Sequence, residues 1–284
     1  MILCADDYGI SPGVSKAILR LVDCGRVSAV SCMMTEPEIQ EDLKHLDAHN
    51  EHIDIGLHLV LTESAPLSSL SPASGLVDAS NRMPGLGTLV RRAYCGSLDA
   101  AGLEREIRTQ IDRFSELTGR FPAFVDGHQH VQQLAGIREA LGTVLEEADN
   151  TTTFYCRCAG LPPGALLQSV FCLSPRAALR NAVIAAPAAS TRSVYHTHRI
   201  RHNRYLLGVY DVEEEMGFAD VFSFYLSLEP APEDIFLCHP GKVDDVLRRR
   251  DPLLEAREDV LSILESEQTI DIMERYGVAL NTFC

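Results

Sequence analysis

The chain has no tryptophan, a deficit of cations and no long apolar run. Without tryptophan, any aromatic platform for stacking a ligand must use tyrosine or phenylalanine. The 25 lysines and arginines face 40 aspartates and glutamates, giving a net charge of −15. That balance opposes nucleic acid binding, and binding to anionic membrane surfaces, through bulk charge. No stretch approaches roughly 18 consecutive apolar residues, so no membrane span is expected. No CxxC pair marks a zinc site, since Cys156-Arg157-Cys158 has a single residue between its thiols. The nine cysteines are odd in number. The apolar run that begins at Ile2 leaves no room for the charged start of a signal peptide. A cytoplasmic protein with free thiols is therefore expected.

What is present is an ordinary globular composition, 46% hydrophobic and 23% charged over 284 residues. One domain spanning 1–284 is expected, because no repeat or linker divides the chain. Residues 2–5 form a short apolar run, enough for one buried strand, and it stops at Asp6 and Asp7. Gly9 and Ser11-Pro12-Gly13 mark a loop. Val14, Ala17, Ile18, Leu21 and Val22 then fall at helical spacing, with Gly25 as the stop. Further strands are expected at 27–33, 53–59, 121–125, 154–158, 193–195, 205–208, 235–238 and 278–283. Helices are expected at 38–49, 103–117, 137–148, 175–186, 221–228, 254–264 and 269–276. The polar, Pro/Gly/Ser-rich stretch 63–87 reads as a long functional loop, for instance a lid over the site. Strands that alternate with helices argue for a parallel sheet, open or closed as a barrel.

Four of these apolar strands end in groups that can do chemistry: Asp6 and Asp7; His58; Asp126 with His128 and His130; and His239. Parallel barrels gather their strand C-termini at one face, where catalytic groups collect. Adjacent carboxylates at a buried strand end raise each other's pKa, a conflict that a divalent cation or a shared proton removes. Two imidazoles and one carboxylate form a metal set that leaves one position open. Each residue also has a plainer reading. Asp6, Asp7 or Asp126 could cap a helix, His58 could be a core histidine, and His239 could belong to a Pro-Gly turn. Asp126 could instead orient His128 or His130. His45 and His49 sit four apart on a helix, where a solvated face is favoured over a metal site. His196, His198 and His202 lie among Arg192, Arg199, Arg201 and Arg204. For this cluster, pairing with acids or a subunit interface is favoured over contact with an anionic substrate. On a strand, His196 and His198 would share a face.

The stretches Ala5-Asp-Asp-Tyr-Gly-Ile-Ser11, Gly56-Leu-His-Leu-Val-Leu-Thr62, Asp126-Gly-His-Gln-His130 and Cys238-His-Pro-Gly241 occur in this order. Together with the tail Arg250-Asp-Pro to Arg257-Glu and Gly277-Val-Ala-Leu280, they resemble the YdjC/ChbG family of carbohydrate deacetylases, which includes the chitooligosaccharide deacetylases. The resemblance implies a distorted (β/α) barrel of the glycoside hydrolase/deacetylase type. It implies removal of an acetyl group from an N-acetylated amino sugar with the help of one divalent metal ion. Asp7, His58 and His128 match the metal ligands, Asp6 the general base and His239 the general acid. Asp126 and His130 fall beside the metal, as substrate-binding or supporting residues. Where the family usually has a third histidine, this chain has Gln132, which bears on substrate contact. Mixed Asp/His ligation suits zinc, manganese or cobalt, while magnesium prefers oxygen; magnesium or zinc is the expected ion. The expected partner is an N-acetylated sugar, with no nucleic acid and no membrane span, and a homodimer stays open. The alternatives are a metal-dependent ester or phosphoester hydrolase on the same barrel, or a non-catalytic metal- or sugar-binding protein. The presence of both Asp6 and His239 speaks against the last, because a binder needs neither.

Overall fold

The computed structural model describes residues 1–49, 51–148, 154–209 and 217–283. In chain order the elements are β1 (Ile2–Tyr8), α1 (Pro12–Asp23), β2 (Ala29–Cys32), α2 (Ile39–Asp47), β3 (Asp54–Leu59), α3 (Leu86–Tyr94), α4 (Ala100–Thr118) and β4 (Phe124–Gly127). They continue with α5 (Ile137–Glu147), β5 (Tyr155–Cys156), α6 (Ala165–Cys172), α7 (Pro175–Ala185), α8 (Ala188–Thr197), β6 (Arg201–His202) and β7 (Leu206–Leu207). The last are α9 (Phe218–Leu226), β8 (Ile235–Cys238), α10 (Leu247–Arg250), α11 (Glu255–Glu265) and α12 (Glu267–Arg275). Short 3₁₀ turns cover Pro72–Ser74 and His128–Gln133.

Among the described residues all eight strands belong to one sheet in the order β6-β5-β4-β3-β2-β1-β8-β7, and every pairing is parallel. The sheet curls into a half-barrel. β6 and β7 do not pair, and side chain and loop bonds bridge the seam instead. The Asn203 amide accepts from Cys158 N at 2.7 Å and donates to Cys158 O at 2.8 Å, while Leu206 N donates to Gly160 O at 2.8 Å. Both faces of the sheet are covered, so the strands read as apolar runs and not as alternating patterns. Leu3 and Ala5 of β1 face the helical layer, against Val14 and Ile18. Ile2 and Cys4 face inward, with Phe124, Tyr155 and Leu237.

Local chemistry fixes the elements that frame the mouth of the barrel. Ser11 caps α1 by accepting from Val14 N, and Pro12 sits in the first turn, where its missing N–H costs nothing. Asp99 caps α4 through Gly102 N, and Gly119 ends it at φ 72. The buried face of α4 carries two polar side chains with specific partners. Glu106 accepts from Leu67 N (3.1 Å), Ser68 N (2.8 Å) and Ser68 Oγ (2.6 Å). Gln110 bonds both backbone groups of Val60. The segment after β3 is thereby pinned to α4.

The structure departs from the sequence reading in several places. The stretch 63–87 is not irregular throughout: Leu76, Val77 and Met83 are buried, and α3 begins at Leu86. α6 was not expected at all. Residues 193–195 belong to α8 and not to a strand. Residues 278–283 form no strand, although Asn281 N donates to Met1 O and the Met1 amine donates to Ala279 O at 2.8 Å. Phe283 there packs its ring on Tyr155.

Candidate active site

The site begins with a backbone irregularity. A regular strand would send Asp6 and Asp7 to opposite faces. The pairing register of β1 with β2 shifts between Ala5 and Tyr8, and Asp7 takes φ 68, a left-handed conformation that aspartate tolerates better than most residues. Both carboxylates are buried in one polar network as a result.

Asp7 stands at its centre. Its Oδ1 lies 3.2 Å from His58 Nε2 and 3.0 Å from His128 Nδ1. Its Oδ2 accepts from Arg257 at 2.6 Å and lies 4.0 Å from His239 Nε2. Arg257 also holds Asp251 at 2.9 Å. Behind His58, Nδ1 is 2.7 Å from Asp126 Oδ1 and 3.0 Å from Ser31 Oγ, and the Ser31 hydroxyl donates to the same carboxylate. This arrangement turns Nε2 of His58 toward Asp7 and fixes the ring.

A second centre adjoins the first. Arg157 donates to Asp6 at 2.5 and 2.7 Å, and its guanidinium lies 2.5 Å from Asp126 and 3.2 Å from Cys4 Sγ. Asp6, Asp126, His58, Arg157 and Arg257 are all buried. The electrostatics follow from these pairs. Burial pushes the Asp6 carboxyl up, but the Arg157 guanidinium outweighs it and brings the pKa down to about 2. Burial acts the same way on Asp7, and Arg257 with His128 holds it well below the usual carboxylate range. Burial alone would keep His58 neutral, yet Asp126 and Asp7 raise it to about 10. Burial lowers His239, and the carboxylates of Asp7 and Asp6 offset only part of that.

The loop that carries His239 is fastened to the start of α1. Gly13 N donates to Asp244 Oδ2 at 2.6 Å, and Gly241 N donates to Arg257 O at 3.1 Å. A Cβ on Gly13 would collide with Lys242 O and with the Asp244 carboxylate, so glycine is required for this approach.

The donor set of Asp7, His58 and His128 fits a divalent cation. Its ligand atoms all lie within 4.8 Å of one another, and two imidazole nitrogens converge on one carboxylate oxygen. Cys4, Asp6 and Asp126 converge in the same way, but the Arg157 guanidinium already lies among them as their cation.

Residues 1–275 match the family described as YdjC-like protein. The chain belongs to the YdjC-like family. Among similar proteins, a carbohydrate deacetylase of Danio rerio is 30% identical over 225 residues, covering 78% of this chain and 68% of that protein. A chitooligosaccharide deacetylase of Yersinia pestis (strain Pestoides F) is 34% identical over 138 residues, 48% of this chain and 52% of that one. The match therefore spans about half of the Yersinia enzyme. The fold is shared with a crystal structure from Enterococcus faecalis V583, provisionally assigned to cellobiose-phosphate cleavage. That comparison has TM-score 0.74 and 19% identity, and it covers 99% of this chain and 96% of the other.

In this YdjC-like chain the four expected strand ends do meet. Asp126 partners His58, not His128 or His130. His130 sits in the 3₁₀ turn at φ 60, with Nδ1 buried and unpartnered among the described residues. Burial, with Arg157 nearby, takes its pKa down to about 3. Gln132 is buried behind the site, and its amide reaches Arg157 O at 3.4 Å. The basic cluster largely follows the plainer reading: His198 pairs with Glu146 at 2.6 Å, and Arg204 grips Asp234 at 2.9 and 2.6 Å. His196 and His198 lie at the end of a helix and not on a strand. His49 pairs with Asp23 at 3.1 Å. Sequence reasoning missed Arg157, Arg257 and Ser31. An arginine inside the otherwise apolar run 154–158 was the available signal, since a buried charge must be paired.

Proposed function

We propose that this chain is a metal-dependent deacetylase that removes the acetyl group from an N-acetylated amino sugar, acting as one barrel unit in the cytoplasm. The convergence of His58 and His128 on Asp7, flanked by Asp6 and His239, carries the reading. Two similar proteins named as carbohydrate and chitooligosaccharide deacetylases support it. Asp7, His58 and His128 would hold the ion, magnesium or zinc. When bound, the ion supplies Lewis acidity that polarises the acetyl carbonyl and makes water more acidic.

The remaining work falls to the side chains around it. Asp6 accepts the proton of the water that attacks the acetyl carbonyl. Arg157 donates to both oxygens of Asp6, and the Cys4 thiol also donates to Oδ1 at 3.4 Å, so Oδ2 is the oxygen that keeps a second acceptor site. The guanidinium keeps the carboxylate ionised and aimed. His239, half-buried beside Asp7 Oδ2, delivers a proton to the nitrogen as the C–N bond breaks, so that a neutral amine leaves. Ser31 and Asp126 keep His58 Nε2 turned to Asp7, and Arg257 keeps Asp7 ionised.

The decisive experiment incubates the metal-loaded protein with N-acetylglucosamine oligomers and, separately, with sugar phosphates and acetate esters. Acetate released together with an equal amount of free amine is the expected result. Phosphate release, or ester cleavage with intact amides, would replace this reading with an ester or phosphoester hydrolase on the same barrel.

A further inference from the structure

Among the described residues, seven residues other than glycine take a left-handed backbone, and four of them belong to one mouth: Asp7, Glu63, Gln129 and His130. Asp7 is the centre of the site, and Gln129 and His130 sit in the turn that carries His128. Glu63, at φ 57, lies on a different segment, the one that leaves β3. Asparagine, aspartate and histidine visit this region of the backbone more readily than glutamate does, so the surrounding structure imposes it. Imposed strain of this kind collects at active sites and ligand clamps.

The contacts that impose it are specific. Glu63 N donates to Pro84 O at 3.2 Å, and Met83 N donates to Ser64 O at 2.9 Å, which closes the neck of the excursion 64–83. Arg82 donates to the Glu63 carbonyl at 2.6 Å. The neighbouring Ser64 hydroxyl donates to Glu36 at 3.3 Å, and Arg250 holds Glu36 at 3.0 Å. The backbone of Glu63 is thus fixed from both sides. Its side chain is exposed, and the Gln129 amide donates to Oε2 at 3.4 Å. Gln129 directly follows His128, so this contact sets the carboxylate at the rim of the site. Three arginines of the site are already paired with other acids: Arg157 with Asp6 and Asp126, Arg257 with Asp7 and Asp251, and Arg250 with Glu36 and Glu38. Among the described residues Glu63 forms no ion pair, and its Oε1 has no hydrogen-bond partner.

We infer that Glu63 is a specificity-determining residue whose carboxylate accepts hydrogen bonds from hydroxyl groups of the bound sugar. This role rests on the deacetylase reading given above. A sugar presents mainly hydroxyl donors, and an ionised carboxylate only accepts, so the two chemistries match. Hydrogen bonds to a carboxylate are shorter and stronger than those between neutral groups. The imposed backbone holds the acceptor still before the sugar arrives, so little freedom is lost on binding. Gln129 keeps Oε2 in place, and Oε1 is the oxygen left for the sugar.

The test measures acetate release by the metal-loaded wild type, Glu63→Ala and Glu63→Gln. The substrates are the disaccharide of N-acetylglucosamine and forms of it that each lack one hydroxyl. Glu63→Ala should raise KM about tenfold or more, the loss expected for a hydrogen bond to a charged group, with kcat within about twofold and metal content unchanged. Glu63→Gln keeps the shape and one acceptor oxygen, so its KM should rise less. With the wild type, at least one deoxy sugar should show a KM about tenfold higher than the parent. With Glu63→Ala the same deletion should have little further effect, because its partner is already gone. That coupling separates direct contact from a loosened loop, which would weaken every sugar alike. The role is overturned if both variants keep the wild-type KM, or if every deoxy sugar loses as much with Glu63→Ala as with the wild type. A fall in kcat alone also overturns it. A wild type that releases no acetate from any of these sugars overturns the deacetylase reading and this role with it, whereas the other adverse results leave that reading standing.

Discussion

Arg157 holds both carboxylate oxygens of Asp6, at 2.5 and 2.7 Å, from a fully buried position. The same guanidinium lies 2.5 Å from Asp126, the carboxylate that orients His58. One side chain thus couples the proposed base to a proposed metal ligand. Breaking a buried pair by removing one partner costs about 3–5 kcal/mol, because the other charge is left uncompensated. Arg157→Ala should lose stability on that scale in denaturant unfolding. Arg157→Lys keeps the charge but not the two-pronged grip, so it should fold better than the alanine variant and still lose most activity. A lysine variant with full activity would reduce Arg157 to a source of charge.

Removing one of three ligands leaves an incomplete site. His128→Ala should lose the divalent ion, which elemental analysis of the purified protein can measure. Metal content equal to that of the wild type would take His128 off the ligand list.

Asp6→Asn should retain the metal while its rate falls by about 10²- to 10⁴-fold or more, the range of a general base. His239→Ala should separate two classes of substrate. An amide, whose amine leaves poorly without a proton, should suffer far more than an aryl acetate, whose leaving group needs little help. Equal losses on both would make His239 a positioning group and move the acid role elsewhere.

Glu106 reaches no reacting group, yet it gathers the backbone of Leu67 and Ser68 and the Ser68 hydroxyl. Glu106→Ala leaves these donors without their acceptor and unpins the segment after β3. Proteolysis within 63–87 should accelerate, and preference among sugar oligomers should change more than the rate on the best of them. Unaltered cleavage kinetics would show that the buried residues Leu76, Val77 and Met83 fasten the segment unaided.

Asp244 gives a pH dependence with a definite sign. Burial raises its carboxyl, but the N–H groups of Leu247 and Gly13 outweigh this and hold it below the ordinary carboxylate value. A lowered folded-state pKa stabilises above the unfolded value, and the benefit disappears as pH falls through the folded value. The stability gap between wild type and Asp244→Ala should therefore be full at pH 7 and should close below about pH 4. Urea unfolding at both pH values measures it. A gap that persists in acid would mean that the contacts act through packing and not through charge.

The strand ends were legible because burial on both faces makes each strand an apolar run, and a charged or imidazole group stands out where the run stops. Asp6, Asp7, His58, Asp126, His128 and His239 all carried that signal. Arg157 carried it too, inside residues 154–158, but its partners lie 151 and 31 positions away, and no local pattern names them. Arg257 sits on an amphipathic helix, where an arginine is ordinary until the fold brings Asp7 to it. The misread elements share a cause. Ser193-Val-Tyr195 has strand-like composition, but Ala188 and Tyr195 are buried at helical spacing along α8. Residues 278–283 open on the apolar run Val278-Ala-Leu280, as a buried strand would, yet the segment is held by its bonds to Met1 and by Phe283 N donating to Asp54, not by a neighbouring ladder. α3 and α6 were hidden by flanking Pro and Gly, which mark turns but do not say how soon regular structure resumes.

The left-handed backbone at Asp7 limits how an inert form of this protein can be made for capturing a bound sugar. Alanine would remove the carboxylate, but it would also force a Cβ-bearing residue without a local polar partner into a conformation that costs roughly 1–2 kcal/mol, so the turn beneath the site would relax. Asparagine visits that conformation readily and keeps one oxygen for Arg257 or the imidazoles. Asp7→Asn is accordingly the substitution for a crystallographer who wants the sugar in place and the pocket undeformed.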